Sequence, residues 1–520
     1  MHEEERPQIV GVTNLRCKFP GEQALLFQGL SLSVRQGEKV LLLGPSGSGK
    51  STLLQILSGI IPNSVEIPMK CDDIQVPKQA GFVFQDPDTQ FCMSYTDEEI
   101  AFVLENRNIP REHMPEQISQ YLNQVGLNFE RNRQLIHSMS QGMKQRLAMA
   151  SMLAMQPDVL FLDEPTALLD DEGTAQVWDT VKQIMQNKTL IIVEHKINEI
   201  VELVDRIIVL SPDGKIVADD CAERIFANHR EMLRDYGIWY PGVWDEQEQE
   251  QEHGQNRKQE QWLHRSSNRL ASEDYRVMTD TESGKTGSLT DPVKVSTLDA
   301  KPALELRQFT GWRGKTKFIE IEQAQVWHGD WIAVVGANGA GKSSLLLALM
   351  NILKTTGYYC VEGQLPGKTE KLADHIAFVF QNPEFQFVAH SVKDEVEFSL
   401  LYGKLSAEER HQQTYAMLEQ FNLQHLTDRH PYQLSMGQKR RLSVASALVR
   451  EQRILLLDEP TFGQDARNTF AMLSQLERLR RQGTAIIMVT HDREIVKRYC
   501  THVWTIDQGR LTDADLVSTP

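Results

Sequence analysis

The sequence predicts an α/β fold in which one unit is written twice, each copy built on a mainly parallel sheet core. Three observations carry this reading. Short apolar runs ending in glycine or an acid read as buried strands, each is followed by a helical stretch, and four motifs return in order in the second half.

In chain order, KVLLLG (39–44) opens the first copy and STLLQILSGI follows it, and WIAVVG (331–336) with SSLLLALMNI repeats the pair. VLFLDE (159–164) and TLIIVEH (189–195) are further strands of the same kind. Strand, loop, helix, strand is the grammar of a parallel sheet with covering helices. GPSGSGKST at 44–52 returns as GANGAGKSS at 336–344, and FVFQDPDTQF at 82–91 as FVFQNPEFQF at 378–387. DVLFLDEPT at 158–166 returns as RILLLDEPT at 453–461, and IIVEHK at 191–196 as IMVTHD at 487–492. The offset stays between 292 and 296 residues, a register that accidents do not keep.

The chain therefore divides into a first domain (1–244), a linker (245–300) and a second domain (301–520). The linker, DEQEQEQEHGQNRKQEQW and a Ser/Thr-rich tail, is polar and poor in aliphatics. It has too little apolar surface to offset its chain entropy, so it is expected to be flexible. Just before it, YGIWYPGVW (236–244) fits either packing against the first domain or docking on a partner.

A length of 520 residues implies two or three domains. Hydrophobic residues at 41% and charged ones at 24% give the balance of a soluble globular protein. A net charge of −16 excludes a general binder of nucleic-acid backbones, and no nucleic-acid partner is expected. The six cysteines are scattered with no C-x-x-C pair, which argues against disulfides or a zinc site and for a reducing compartment. The N-terminal MHEEERPQIV is polar and acidic, so no signal peptide is expected. No apolar run approaches the ~18 residues of a membrane span. Any dealings with a membrane must pass through a partner.

GPSGSGKS and GANGAGKS both satisfy G-x-x-x-x-G-K-[ST] between a strand and a helix, the context that confirms a phosphate-binding loop (P-loop). The glycines Gly44, Gly47 and Gly49, and Gly336, Gly339 and Gly341, let backbone N–H groups curl around phosphates. Ser46, Thr52, Asn338 and Ser344 complete the two loops. Lys50 and Lys342 would neutralise β/γ-phosphate charge, and Ser51 and Ser343 would ligate Mg²⁺. Asp163 and Asp458 end apolar strands and would hold the cation's water shell. Glu164 and Glu459 follow them and would polarise the attacking water. His195 and His491 lie 31 and 32 residues after those glutamates, a matched spacing that favours a γ-phosphate contact over a structural role.

These motifs resemble those of an ATP-binding cassette (ABC) ATPase with two nucleotide-binding domains in one polypeptide, over nearly everything but the linker. The resemblance implies tandem P-loop domains, each with a helical subdomain, and ATP with Mg²⁺ as cofactors. The family's signature, usually LSGGQ, stands here as LSMGQ (434–438) and MSQGM (139–143), each Ser 23 residues before the strand-end Asp. By resemblance Gln85 and Gln381 sense the metal and touch the membrane partner. Phe19 and Trp312 occupy the place of an adenine-stacking aromatic, with Phe309 competing in the second domain. The halves are expected head to tail as an intramolecular pseudo-dimer. One site would join Lys50, Gln85, Asp163, Glu164 and His195 to Ser435, Gly437 and Gln438. The other would join Lys342, Gln381, Asp458, Glu459 and His491 to Ser140 and Gly142.

Q-[DN]-P-x-x-Q-F in both halves, followed by TDEEIAFVLENRNIPREHM and VKDEVEFSLLYGKLSAEER, resembles the energy-coupling-factor (ECF) importers. That resemblance implies a peripheral ATPase on the cytoplasmic face of a bacterial cell membrane. Its partners would be a transmembrane coupling protein and a small substrate-binding membrane protein. A fused pair resembles the type attributed to uptake of thiamine or its hydroxymethylpyrimidine precursor; other vitamins and metal ions are cargo of the same family. Two alternatives stand beside it. Sugar-type importer ATPases often have an eroded second P-loop, whereas GANGAGKS is intact. Ribosome-associated ABC ATPases usually read NHLD after DEPT, where this chain reads ALLD and FGQD.

Overall fold

Runs of four or five apolar residues leave a strand no solvent face, and in the computed structural model every residue of the two central strands in each half is buried. The structure describes residues 6–249 and 301–517 apart from 23, 168, 170, 186–187, 366–368, 402, 404 and 451. The first half contributes β1 (Gln8–Cys17), β2 (Phe27–Arg35), β3 (Lys39–Leu43), β4 (Met69–Lys70), β5 (Asp73–Gln75), β6 (Ala80–Val83), β7 (Val159–Asp163), β8 (Thr189–Val193), β9 (Arg206–Leu210) and β10 (Ile216–Asp220). Their main sheet runs β10-β9-β3-β8-β7-β6, parallel except for β10. A second, antiparallel sheet, β2-β1-β4 with β5 also on β1, is an element the sequence did not announce.

The second half contributes β11 (Leu304–Arg313), β12 (Thr316–Val326), β13 (Trp331–Val335), β14 (Lys354–Val361), β15 (Ile376–Val379), β16 (Ile454–Asp458), β17 (Ala485–Val489), β18 (His502–Asp507) and β19 (Arg510–Leu516). The order β19-β18-β13-β17-β16-β15 repeats the first copy. One parallel pairing, Glu320 with Arg510, also joins β12 to β19, so the antiparallel strands continue a nine-stranded sheet.

Each P-loop helix buries apolar side chains on two sides because it lies between two layers. Leu53, Leu54 and Ile56 share one core with Val10 and Phe27 on one side and Phe161 and Ile191 on the other. Leu345, Leu346 and Leu349 do the same with Phe309, Ile319, Leu456 and Ile487. The helical subdomains are Thr96–Asn106, Met114–Gln124 and Gln141–Ala154, then Val392–Leu400, Ala407–Gln420 and Met436–Leu448.

The described residues up to Pro241 and from Ala303 onward form one compact unit. Residues 243–249 are helical, so the expected linker begins inside a helix; its remaining residues, 250–300, lie outside the described residues. The aromatic stretch before it packs on both halves: Ile238 N donates to the Leu233 carbonyl at 2.9 Å and the Arg230 guanidinium lies 5.5 Å over the Tyr240 ring, both in the first half, while Gly237 and Trp239 reach the second. The helix Ala466–Arg481 begins with N–H groups that lack a partner within the helix. The Gly237 carbonyl accepts from Ala466 N at 2.8 Å, and Trp239 Nε1 donates to the Gln464 carbonyl at 3.0 Å. The Trp239 ring stands 5.6 Å from Phe470. Gly237 has φ +68°, and a Cβ there would meet Arg467 Cβ at 2.5 Å, so only glycine lets the strap close.

Candidate active site

Glycine's access to positive φ shapes both phosphate loops: Gly47 and Gly49 have φ 87° and 92°, Gly339 and Gly341 81° and 109°. Gly49 and Gly341 cap the helices Lys50–Leu57 and Lys342–Leu349 without a side-chain bond, leaving the first N–H groups for an anion. Lys50 Nζ donates to the carbonyls of Gly44 (2.8 Å) and Pro45 (3.1 Å), and Lys342 Nζ to those of Gly336 (2.7 Å) and Ala337 (3.0 Å). Burial pushes the Lys50 ammonium pKa down, offset in part by Glu164, by Asp465 of the second half and by Asp163. Ser46 and Asn338 are exposed in the loops, while Thr52 and Ser344 lie in the helices' first turns.

Ser51 Oγ donates to Asp163 Oδ1 at 2.9 Å, and the Ser343 hydroxyl hydrogen-bonds Asp458. Burial pushes Asp163 up to about 6 and raises Asp458 as well. Asp458 Oδ1 is buried with no hydrogen-bond partner among the described residues. A hydroxyl beside a buried carboxylate with a spare oxygen is a donor set for a hard divalent cation, so these residues fit Mg²⁺.

His195 Nε2 stands 3.0 Å from Glu164 Oε1, and His491 Nε2 stands 3.0 Å from Glu459 Oε1. Both glutamates have left-handed backbones, φ 48° and 52°, strain of order 1–3 kcal/mol that sequence reasoning missed. Their N–H groups are tied to the carbonyls of Val193 (2.9 Å) and Val489 (3.1 Å), which sets the carboxylates beyond the sheet edge. Burial raises the Glu164 pKa, but His195 and then Lys50 outweigh it and hold the net value below the usual range. At Glu459 burial, with Asp458, pushes the pKa up to about 8, and Lys342, Lys196 and Arg440 offset only part. Glu194 was also missed: fully buried, its carboxylate accepts from Thr166 Oγ1 (2.7 Å) and His195 N (2.8 Å), where the second half has Thr490.

Gln85 Nε2 donates to Glu164 Oε2 at 2.8 Å, whereas Gln381 is exposed. After them Asp88 pairs with Lys144 at 2.7 Å and Glu384 with Lys439 at 2.5 Å, tying each Gln-containing loop to its own signature helix. Ser140 and Ser435 cap those helices through Met143 N and Gln438 N. Gln438 Oε1 also accepts from Ser435 N at 2.9 Å, closing a capping box that Met143 cannot form. The amide expected to face nucleotide is thus engaged by its own loop. A Cβ placed on Gly437 would stand 4.0 Å from Ser46 Oγ, so the second signature faces the first P-loop. Among the described residues, the same point on Gly142 meets, within 4 Å, only Gly173 and Leu169 of its own half. Phe19 is 44% exposed, as a stacking platform must be. Phe309 lies in the core edge-on to Tyr359, which leaves Trp312, half-buried with Nε1 on Thr356 Oγ1 at 3.2 Å.

A family model described as "ABC transporter" matches residues 27–167 and again 322–462, more than half of the chain. The chain belongs to the ABC transporter family. A Bacillus subtilis (strain 168) relative of this ABC ATPase, named "Putative HMP/thiamine import ATP-binding protein YkoD", is 34% identical over 97% of this chain and 91% of its own. A Sulfurisphaera tokodaii "Putative ABC transporter ATP-binding protein" is 32% identical over 96% of each. The solved "Model of ribosome-bound archaeal Pelota and ABCE1" superposes over 97% of this chain and 79% of its own with TM-score 0.63; at 19% identity this is a likeness of fold alone. The ABC ATPase binds ATP and hydrolyses it in coupling to transport, working with membrane partners. Among its described residues no helix is long and apolar enough to cross a membrane.

Proposed function

We propose that the chain is the motor of an ECF-type importer that takes up a vitamin or vitamin precursor, peripheral on the cytoplasmic face of the membrane. The repeated Q-[DN]-P-x-x-Q-F turn carries this reading. In each half a buried carboxylate pins that turn: Glu99 accepts from Cys92 N and Met93 N, Glu395 from Val388 N and Ala389 N. On and after it Phe385, Val388, Phe398 and Leu401 of the second half, and Phe102 of the first, are exposed, apolar surface suited to helices of a coupling protein. Phe387 itself is buried edge-on to Tyr432, so it seats the turn rather than offering a contact. The full-length likeness to a protein named for HMP/thiamine import supports that cargo class.

In the proposed mechanism each ATP lies between one half's P-loop and the other's signature. Lys50 and Lys342 turn their ammonium groups from the loop carbonyls to the phosphates, and Ser435, Gly437, Ser140 and Gly142 meet the γ-phosphate. Ser51, Gln85 and Asp163, or Ser343, Gln381 and Asp458, would hold Mg²⁺, which neutralises phosphate charge when bound. Glu164 and Glu459 orient the attacking water and accept its proton, each with its histidine 3.0 Å away. ATP contacts made only in the closed state shift the halves together, and hydrolysis releases them. The test is purification of the tagged chain from membranes. A transmembrane coupling protein and a small membrane protein should copurify, and Phe385→Ser with Val388→Ser should loosen the complex. Cosedimentation with ribosomes and no membrane partner would overturn the reading.

A further inference from the structure

We infer that Gln464 is a positioning residue for one ATP site only, and that it makes the two sites unequal. This rests on the assignment of the two composite sites above. Gln464 is 3% exposed, in the loop after the second DEPT, and its Nε2 donates to the carbonyl of Gly437 at 3.1 Å. Its own carbonyl is held by Trp239 Nε1 of the strap at 3.0 Å. Gly437 faces Ser46 of the first P-loop across the interface. One side chain therefore fixes the second signature loop, on a backbone clamped by the first half, where that loop meets Lys50's phosphate site.

The equivalent residue of the first half is Leu169, whose Cδ2 stands 3.8 Å from a Cβ placed on Gly142. It packs there and can donate nothing. Gln464 Oε1 is buried without a partner among the described residues, which costs stability that a leucine would not. Packing alone therefore gives no reason for an amide at this position. Holding the Gly437 carbonyl does, because it fixes the peptide whose neighbours, Ser435 and the Gly437 N–H, meet the γ-phosphate.

Losing one such hydrogen bond in the transition state lowers a rate roughly threefold to tenfold. The test is site-resolved. In the full-length chain with a specific protease site placed between 260 and 290, ADP from an 8-azido-ATP analogue is trapped with vanadate and photocrosslinked. Cleavage then reports the label on each half. Gln464→Leu and Gln464→Glu, which both lack the donor, should cut first-half label about threefold to tenfold and leave second-half label unchanged. Gln464→Asn, which keeps an amide donor, should restore part of it, while Leu169→Gln should not lower either label. Equal losses in both halves would mean a merely structural role, and no loss in either would also overturn the inference. Absence of label in the unaltered protein would instead overturn the site assignment beneath it.

Discussion

At the scale of single residues, the odd spelling MSQGM is explained by capping. Ser140 and Gly142, which would meet the phosphate, are kept; Met143 lacks only the return bond that Gln438 makes to its own loop. A missing bond of ~0.5–1.5 kcal/mol leaves an impaired loop rather than a dead one. Turnover should therefore lean on the site served by LSMGQ. Glu164→Gln is expected to lower steady-state ATPase more than Glu459→Gln, and Met143→Gln to raise it, by threefold to tenfold at most. Equal losses from the two glutamate variants, with no response to Met143→Gln, would make the spelling neutral. The signature serines, P-loop lysines and strand-end acids were legible in the sequence because each stands at a fixed offset from a strand. The left-handed Glu164 and Glu459 and the buried Glu194 were not, since backbone torsion and burial depend on neighbours distant in sequence.

Elements behave the same way. Strands β3, β7 and β8 were legible as unbroken apolar runs. Strand β1 was not, because its buried positions fall out of alternation where register shifts interrupt its pairing with β2. The turn after each Gln-containing loop supplies a pH-dependent prediction. Burial raises the pKa of Glu99 and Glu395 despite their backbone hydrogen bonds. A carboxyl with a raised folded pKa gives its full stability below the unfolded value near 4.5, and that stability declines as pH rises toward the folded value. Glu99→Gln and Glu395→Gln keep an acceptor for the two N–H groups without the charge. Their Tm relative to the unaltered protein should rise as pH is taken from 4 to 8. A relative Tm that falls over that range would show the ionised carboxylates to be favourable.

At the scale of the molecule, the tandem repeat was legible from motif register alone, but the strap was not. An aromatic run shows that something is buried, and its carbonyl and indole find their partners only once Ala466 and Gln464 are placed. The tether is expected to raise the local concentration of the halves and nothing more. Coexpressed fragments 1–244 and 301–520 should therefore reassemble and support uptake, and Trp239→Ala should weaken their association by about tenfold or more. Fragments that fold and bind ATP yet cannot complement at high expression would give the linker a further role.

The central claim, two ATP sites each shared between the halves with a glutamate positioning the water, has one direct measurement. Glu164→Gln with Glu459→Gln, loaded with ATP and Mg²⁺, is assayed for phosphate release and for nucleotide retained after gel filtration. The prediction is steady-state turnover reduced by ~10²-fold or more, with two ATP molecules retained per chain. Undiminished turnover, or loss of bound ATP, would contradict it.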